Sequence, residues 1–239
     1  MAAMVENIIN SGDTAWLLAS ASLVMLMTPA VGLFYGGMVR RKNLLSTIML
    51  SFSVLIVITL QWVYFGYSLA FGPDVGHVIG NLDWFALKQV NMLPNVAYAA
   101  TIPHIAFMLF QMKFAIITPA LFTGAIVERV RFSSFVMFTL VWTTLVYDPL
   151  AHWMWGIGGW LRDLGALDFA GGTVIHVSSG VAALALAIVL RKRKSFGKFE
   201  FEPYSIPMTL IGAVLLWFGW FGFNGGSALG STALAVHAI

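Results

Sequence analysis

One histidine lies in a stretch of small and apolar residues. His176 occupies the segment GGTVIHVSSG. A neutral imidazole offers one hydrogen-bond donor and one acceptor, so it can bind a small polar molecule without contributing a fixed charge. The alternative is a histidine that packs between helices and bonds a neighbouring backbone group. Residue chemistry alone leaves both interpretations open.

An aspartate and three tryptophans precede this histidine. Asp168 stands shortly before Gly172, where its oxygens can accept backbone N–H groups as a helix N-cap. A carboxylate at this position would also attract cations. The indole faces of Trp153, Trp155 and Trp160 can attract a cation, but tryptophan is also the usual anchor at a membrane–water interface.

Three phenylalanines belong to two other apolar segments. Phe110 and Phe114 are four residues apart, which places both on one face of a helix. Phe223 lies between Gly222 and Gly226, whose lack of side chains allows another helix to approach closely. Without further information, aromatic residues at such spacing indicate packing between helices.

These residues lie in long runs without charge. Of the 239 residues, 59% are hydrophobic and 10% are charged, and the mean hydropathy is +0.87. A soluble domain carries about 25% charged residues, and a membrane-spanning helix needs about 20 apolar ones. The sequence therefore predicts an all-α, polytopic membrane protein. Spans are expected at 14–38, 44–71, 102–127, 132–147, 171–190 and 206–223, with 228–239 as the start of a seventh.

Charges alternate between the connections that join these spans. Ten of the 13 basic residues fall in three alternate connections: Arg40, Arg41 and Lys42, then Arg129 and Arg131, then Arg191, Lys192, Arg193, Lys194 and Lys198. The intervening connections carry Asp74, Asp83, Asp148, Asp163 and Asp168. The positive-inside rule then predicts basic connections in the cytoplasm and an external N-terminus.

The N-terminal charges, the absence of cysteine and the net charge each argue against a particular feature of the protein. Glu6 and Asp13 are the only charges before the first apolar run, so no removable signal peptide is predicted. The absence of cysteine excludes disulfides and thiolate metal sites. The formal net charge of +3 is too small to suggest binding to nucleic acid.

Five segments together resemble one known family. They are AWLLASASLVMLMTPAVGLFYGGMVRRKN, FQMKFAIITPALFTGAIVERVRF, AHWMWGIGGW, GALDFAGGTVIHVSSG and IPMTLIGAVLLWFGWFGFNGGSA. In this order and spacing they are similar to the ammonium transporter family (Amt/Mep/Rh), in particular its bacterial and archaeal Amt branch. The resemblance implies a bundle of two inverted halves. Residues 1–239 would form a membrane domain truncated at its C-terminus, with the first half and the start of the second.

The resemblance also implies roles for five residues of an outer vestibule. Trp155, Phe114 and Ser227 match the family's recruitment site for ammonium, where aromatic faces and a hydroxyl hold the cation. Phe114 and Phe223 match the paired rings that close the pore below this site. Phe110 matches a further aromatic residue of the same vestibule.

Deeper and structural positions follow from the same resemblance. Asp168 matches a buried aspartate needed for structure and conduction, and His176 matches the first of two pore histidines. The second pore histidine is not present, since His237 is too near the end of the chain. Lys113 departs from the apolar or small residue expected beside Phe114, and a lysine at that depth must pair, snorkel or lose its proton.

The expected function is transport of ammonium or ammonia across the plasma membrane, and the alternative is an ammonium sensor with the same fold. An enzyme is not expected, because His77, His104, His152, His176 and His237 include no pair four residues apart that would hold a metal on a helix. No cofactor or metal is predicted. The resemblance implies a homotrimer in the lipid bilayer and a regulatory protein of the PII type at the cytoplasmic face.

Overall fold

The fold is a bundle of helices that are long and apolar enough to cross a membrane. A computed structural model describes residues 9–193, 196–197 and 200–239. Lys194, Lys198 and Glu6 lie outside the described residues. Within the described residues there are six such helical segments, called here the first to sixth spans: Ser11–Met38, Arg41–Phe71, His104–Ile126, Phe132–Asp163, Gly172–Leu190 and Ile206–Gly226. The prediction of an all-α polytopic bundle is confirmed.

Most spans are composed of more than one helix. The helices are α1 Ser11–Met38, α2 Leu44–Gln61, α3 Tyr67–Phe71, α4 His104–Leu121, α5 Thr123–Ile126, α6 Phe132–Trp142, α7 Asp148–Trp155, α8 Trp160–Asp163, α9 Ser178–Leu190, α10 Ile206–Gly226 and α11 Ala233–His237. Wider π-helical turns join or begin them at Trp62–Gly66, Thr143–Tyr147 and Gly172–Val177. Such π turns occur often at functional sites.

The connections are short except for the one between the second and third spans. It contains two short antiparallel strands, β1 Asp74–Val75 and β2 Ile79–Gly80, and a 3₁₀ turn at Phe85–Leu87. Another 3₁₀ turn, Arg41–Asn43, begins the second span. The predicted start of a seventh span is seen only as α11, which begins at Ala233 after an irregular segment.

Glycines bring the first, third and sixth spans together. A Cβ atom on Gly222 would lie 2.7 Å from the carbonyl oxygen of Ser20 in the first span. A Cβ atom on Gly226 would lie 2.7 Å from the Phe110 ring in the third span. Because these distances are shorter than ordinary van der Waals contacts, only glycine permits the helices to approach so closely. The close contact that the sequence predicted at Gly222 and Gly226 is therefore observed.

The fourth span is longer than the sequence indicated. The prediction ended it at residue 147 and placed Asp148 in an external connection, which is wrong, since α7 continues to Trp155. Asp148 is fully buried, and its Oδ2 accepts a hydrogen bond of 2.5 Å from Nε2 of Gln61. Pro149 does not interrupt the span, because proline is tolerated in the first turn of a helix.

The three basic connections meet around one glutamate at one end of the bundle. Arg40 donates two hydrogen bonds to Glu128, at 3.1 Å and 2.9 Å, and Asn43 donates a third. Nη1 of Arg193 lies 3.5 Å from the same carboxylate. The guanidinium groups of Arg40 and Arg193 also cover the Phe201 ring, at 4.9 Å and 5.3 Å from its centre. These contacts place the three basic connections on one side, as the alternation predicted.

The ionisation of Glu128 contributes to the stability of this end. Burial raises the pKa of Glu128, but the hydrogen bonds from Arg40 and Asn43 and the charges of Arg40 and Arg193 outweigh it, so the pKa lies below its ordinary value. A carboxylate with a lowered pKa stabilises the fold above its ordinary pKa. That contribution is lost as the pH falls through the lowered pKa.

We expect the substitution Glu128→Gln to lower the midpoint of thermal unfolding at pH 7. The amide preserves the shape but not the charge, and hydrogen bonds to a charged group contribute about 1.5–3 kcal/mol. The difference from the parent should shrink as the pH falls below the ordinary pKa of glutamate, about 4.3, and should be gone below the lowered pKa of Glu128. The control is Glu200→Gln, because Glu200 is exposed. An equal loss in both variants, or no dependence on pH, would contradict the role of Glu128.

Candidate functional site

A cavity opens at the end of the bundle opposite Glu128. Its volume is about 200 Å³, and its lining comes from the second, third and fourth spans, the connections at that end and the segment that follows the sixth span. The cavity brings together Phe114, Trp155, Asp168 and Ser227, four of the residues singled out from the sequence. Tyr98 and Arg162 complete its rim.

Aromatic rings form the floor of this cavity. The centre of the Phe114 ring lies 6.2 Å from that of Trp155, 4.6 Å from that of Phe223 and 4.8 Å from that of Phe110. Phe110, Phe114 and Phe223 are each at most 1% exposed. Phe114 lines the cavity, and the buried rings of Phe110 and Phe223 pack against it.

Trp155 is the one predicted tryptophan that lines the cavity. Its indole Nε1 donates a hydrogen bond of 2.8 Å to the carbonyl oxygen of Asp168, which orients the ring. Trp153 instead donates to the carbonyl oxygen of Val78 at 2.7 Å, and its ring lies 5.7 Å from that of Trp160. Trp153 and Trp160 therefore form a separate pair, which fits the interfacial alternative.

The Asp168 carboxylate accepts hydrogen bonds from four backbone N–H groups at the start of the fifth span. Its Oδ1 accepts hydrogen bonds from the N–H groups of Gly171 and Gly172, at 2.6 Å and 2.9 Å. Its Oδ2 accepts from Thr173 and Val174, at 2.8 Å and 3.0 Å. Gly171 has φ of 98°, a left-handed conformation that glycine adopts without strain. Asp168 is half-buried here, whereas the resemblance implied a buried position.

His176 lies beyond the two phenylalanines, in the π turn that begins the fifth span. Its ring stacks on Trp220, with centres 5.7 Å apart and planes inclined by 12°, and lies 5.8 Å from the ring of Phe223. Neither ring nitrogen has a hydrogen-bond partner among the described residues. The alternative of an imidazole bonded to a neighbouring backbone group is therefore not observed in this part of the chain.

Ser227 lines the cavity, whereas Lys113 does not. The hydroxyl of Ser227 donates a hydrogen bond of 2.8 Å to the carbonyl oxygen of Phe223, so its lone pairs are available to a guest. Lys113 is 8% exposed within the third span and does not line the cavity. In the described part of the chain no carboxylate lies within ion-pair distance of its ammonium group.

Sequence reasoning missed the two polar residues at the rim. The Tyr98 hydroxyl donates to the carbonyl oxygen of Phe71 at 2.7 Å and accepts from the N–H of Ile157 at 3.1 Å. Burial raises the pKa of Tyr98 to about 12, so its phenol is neutral at pH 7. Arg162 donates a hydrogen bond of 2.5 Å from Nη1 to the carbonyl oxygen of Trp155. Tyr98 belongs to the long connection between the second and third spans, and Arg162 to the short helix α8 at the end of the fourth span. Neither segment carries a clear periodic signal.

Comparison with known sequences identifies the family. The model of the Ammonium Transporter Family matches residues 15–239. The chain belongs to the ammonium transporter family. It is 53% identical over 230 residues to ammonium transporter Amt1 of Archaeoglobus fulgidus, with 96% of this chain and 56% of the relative covered. It is 54% identical over 228 residues to the ammonium transporter of Bacillus subtilis, with 95% of this chain and 55% of the relative covered.

Two solved structures have the same fold as this chain. The crystal structure of Candida albicans Mep2 superimposes with a TM-score of 0.88 at 40% identity, covering 97% of this chain and 51% of that one. A structure of a Sensor Amt Protein gives a TM-score of 0.85 at 30% identity, covering 99% and 58%. The chain thus spans about half the length of the relatives it matches. The curated relatives described above are named transporters, which are not enzymes.

We expect Asp168→Asn to destabilise the start of the fifth span. An asparagine side chain has one acceptor oxygen, so two of the four N–H groups would face an NH₂ group that cannot accept. Loss of hydrogen bonds to a charged acceptor should reduce the free energy of unfolding by about 2 kcal/mol or more.

Hydrogen exchange read by mass spectrometry measures this effect locally. The amides of residues 171–174 should exchange faster in Asp168→Asn than in the parent. The matched control is Asp163→Asn, whose carboxylate is exposed and lies at the end of the fourth span, five residues before Asp168. Unchanged exchange at residues 171–174 in the Asp168 variant would refute the capping role.

Proposed function

We propose that this protein transports ammonium across the plasma membrane, with the cavity as the entrance of its pore. The observation that carries the proposal is the continuous series from Trp155 through Phe114 and Phe223 to His176. Neighbouring ring centres in this series are 6.2, 4.6 and 5.8 Å apart. Aromatic faces thus lead from an open cavity to an imidazole whose nitrogens are free among the described residues.

The cavity has the chemistry to recruit a small cation. The faces of Trp155 and Phe114 attract a cation through their quadrupoles, by about 0.5–2 kcal/mol depending on desolvation. The lone pairs of Ser227 can accept a hydrogen bond from ammonium. The charge of Asp168 lies in the same lining and favours cations, although its oxygens are engaged by backbone N–H groups.

The apolar floor of the cavity explains how ammonium would be distinguished from K⁺. A bare ion between the buried rings of Phe114 and Phe223 loses its hydration and gains no polar partner, which is costly. K⁺ has no means of avoiding this cost. Ammonium can transfer a proton to solvent water at the open cavity and continue as neutral ammonia, for which His176 offers a hydrogen-bond donor or acceptor.

The sequence relationships favour a transporter over a sensor. The two curated transporters are 53% and 54% identical to this chain, whereas the Sensor Amt Protein is 30% identical.

In the proposed orientation the N-terminus is outside and the basic connections around Glu128 are in the cytoplasm. A homotrimer and a PII-type regulator at the basic connections belong to the same proposal. The exposed apolar side chains of the sixth span, including Leu210 and Trp217, offer a surface to lipid or to another subunit.

Currents on a solid-supported membrane test the proposal. Proteoliposomes of the protein should give a saturable current with ammonium pulses and none with equal K⁺ pulses. The variant His176→Ala should lose the ammonium current or admit K⁺, because the imidazole beyond the ring pair is gone. The control His237→Ala removes a histidine outside this series and should behave as the parent does. Absence of current with ammonium binding preserved would favour the sensor.

We expect Arg162→Gln to increase the apparent affinity for ammonium. The guanidinium group is a positive charge in the lining of a cavity that must attract a cation, and glutamine can keep a hydrogen bond to the Trp155 carbonyl. The half-saturating ammonium concentration should fall about two- to tenfold at low ionic strength, and the effect should diminish with salt.

The control for this variant is Lys88→Gln. Lys88 is an exposed cation in another connection and does not line the cavity. It should change the half-saturating concentration far less than Arg162→Gln does. Equal effects of the two substitutions, or no effect of Arg162→Gln at low salt, would show that the rim charge does not influence recruitment.

A further inference from the structure

Another buried histidine lies one turn before Trp155. His152 belongs to helix α7, and the aromatic series of the proposed pore does not include it. It has no exposed surface, and its ring lies among the end of the second span, the connection that follows that span and the turn after α7. Because the side chain is already enclosed by the described bundle, its contacts do not depend on what covers the outer faces.

Both ring nitrogens of His152 face oxygen acceptors. Nδ1 donates a hydrogen bond of 3.1 Å to the carbonyl oxygen of Ala70, at the end of the second span. Nε2 donates a hydrogen bond of 2.9 Å to Oδ1 of Asp74, which begins strand β1. A neutral imidazole has one N–H group, so it would make one of these bonds and point a lone pair at the other oxygen. The two contacts together require a ring with both protons, which is an imidazolium.

The partner of this ring, Asp74, is an ionised carboxylate. Its two oxygens also accept the backbone N–H of His77, at 2.9 Å and 3.1 Å, and its side chain is 24% exposed. The hydrogen bond from His152 has the largest effect and lowers the pKa of Asp74 below its ordinary value, although burial raises it. The proton between the two residues therefore belongs to His152.

The surroundings of this pair contain further charges on neighbouring elements. These groups include His77, Asp163, Arg162 and Asp148. Nδ1 of His77 lies 3.6 Å from Oδ2 of Asp163 and 3.9 Å from Oδ2 of Asp74. The last two groups of the list are bonded to atoms outside the pair. Among the described residues, Asp74 is the one carboxylate within ion-pair distance of the His152 ring.

The turn that follows Trp155 closes directly over the His152 ring. The carbonyl oxygen of His152 accepts the N–H of Gly156 at 2.9 Å, and a Cβ atom on Gly156 would lie 2.5 Å from Nδ1 of the ring. The next residue, Ile157, donates its N–H to the Tyr98 hydroxyl at 3.1 Å. Tyr98 and Trp155 both line the cavity. The ring therefore supports the segment that holds these two aromatic residues at the cavity.

We propose that His152, as an imidazolium paired with Asp74, is a positioning residue for the face of Trp155 that recruits ammonium. The pair attaches the connection after the second span to helix α7. An uncharged residue at either position would loosen this attachment and with it the turn over the ring. The role in recruitment rests on the proposed function, whereas the charge of the ring and its two hydrogen bonds stand without it.

Solid-state NMR of the protein with isotope-labelled histidine in proteoliposomes tests the charge of the ring. At pH 7 the spectrum should contain a ring with both nitrogens protonated, and this signal should be absent from His152→Gln. If that variant does not fold, the signal is assigned by its change in Asp74→Asn. A His152 ring with one unprotonated nitrogen at pH 7 would overturn the imidazolium.

Ammonium currents test the positioning role. In Asp74→Asn the half-saturating ammonium concentration should rise about two- to tenfold with the maximal current retained, because the cation–π attraction at Trp155 is weakened and the pore is unchanged. His152→Gln should have the same effect, and the double variant should be no worse than the more affected single one, since both remove one pair. The matched control is Asp83→Asn, an exposed carboxylate of the same connection, which should behave as the parent does.

Hydrogen exchange separates a failure of this inference from a failure of the proposed function. The amides of Gly156 and Ile157 should exchange faster in Asp74→Asn than in the parent or in Asp83→Asn, whether or not the protein carries ammonium. Unchanged exchange at these amides, additive effects in the double variant, or a loss of maximal current alone would overturn the positioning role. Absence of current in the parent, with the exchange result as expected, would count against the proposed function only.

Discussion

The candidate site depends on the need to satisfy backbone N–H groups within an apolar surrounding. The first N–H groups of a helix have no partner within the helix, and a buried one left unsatisfied costs about 1–3 kcal/mol. The Asp168 carboxylate accepts four of them. Its own carbonyl oxygen accepts the indole N–H of Trp155. One residue therefore positions both the turn that carries His176 and the aromatic face that lines the cavity.

The spans could be predicted because a bilayer imposes a simple rule on composition. Segments that carry no charge and are long enough to cross a bilayer indicate the spans, and the alternation of the basic connections supports the number of spans. The rule failed at Asp148, since it treats every charged residue as a boundary. In the structure Gln61 provides a partner for Asp148 from a neighbouring span, and the pair is buried. A partner in another span is a tertiary property that hydropathy along one segment does not contain.

The site could be predicted only in part, and the reason differs between residues. Phe110 and Phe114 share a helix face by their spacing, and this much follows from helix geometry. That Phe223 meets Phe114 depends on the packing of the third and sixth spans, which family resemblance indicated and periodicity did not. Tyr98 reaches the cavity from the connection between the second and third spans, and Arg162 reaches it from the end of the fourth span. Both side chains donate hydrogen bonds to backbone carbonyl groups, which every residue has. The positions of these two side chains therefore cannot be predicted from a pattern of side chains in the sequence.

The basic residues at the end of the bundle near Glu128 affect both the orientation of the chain in the membrane and the packing of its connections. Their position in alternate connections predicts the orientation of the chain in the membrane. Arg40 and Arg193 share the carboxylate of Glu128, which joins connections distant in sequence. Arg129, Arg191 and Lys192 have no carboxylate within ion-pair distance among the described residues. Because one carboxylate cannot neutralise all of these cations, this end of the bundle keeps the excess positive charge on which the predicted orientation depends.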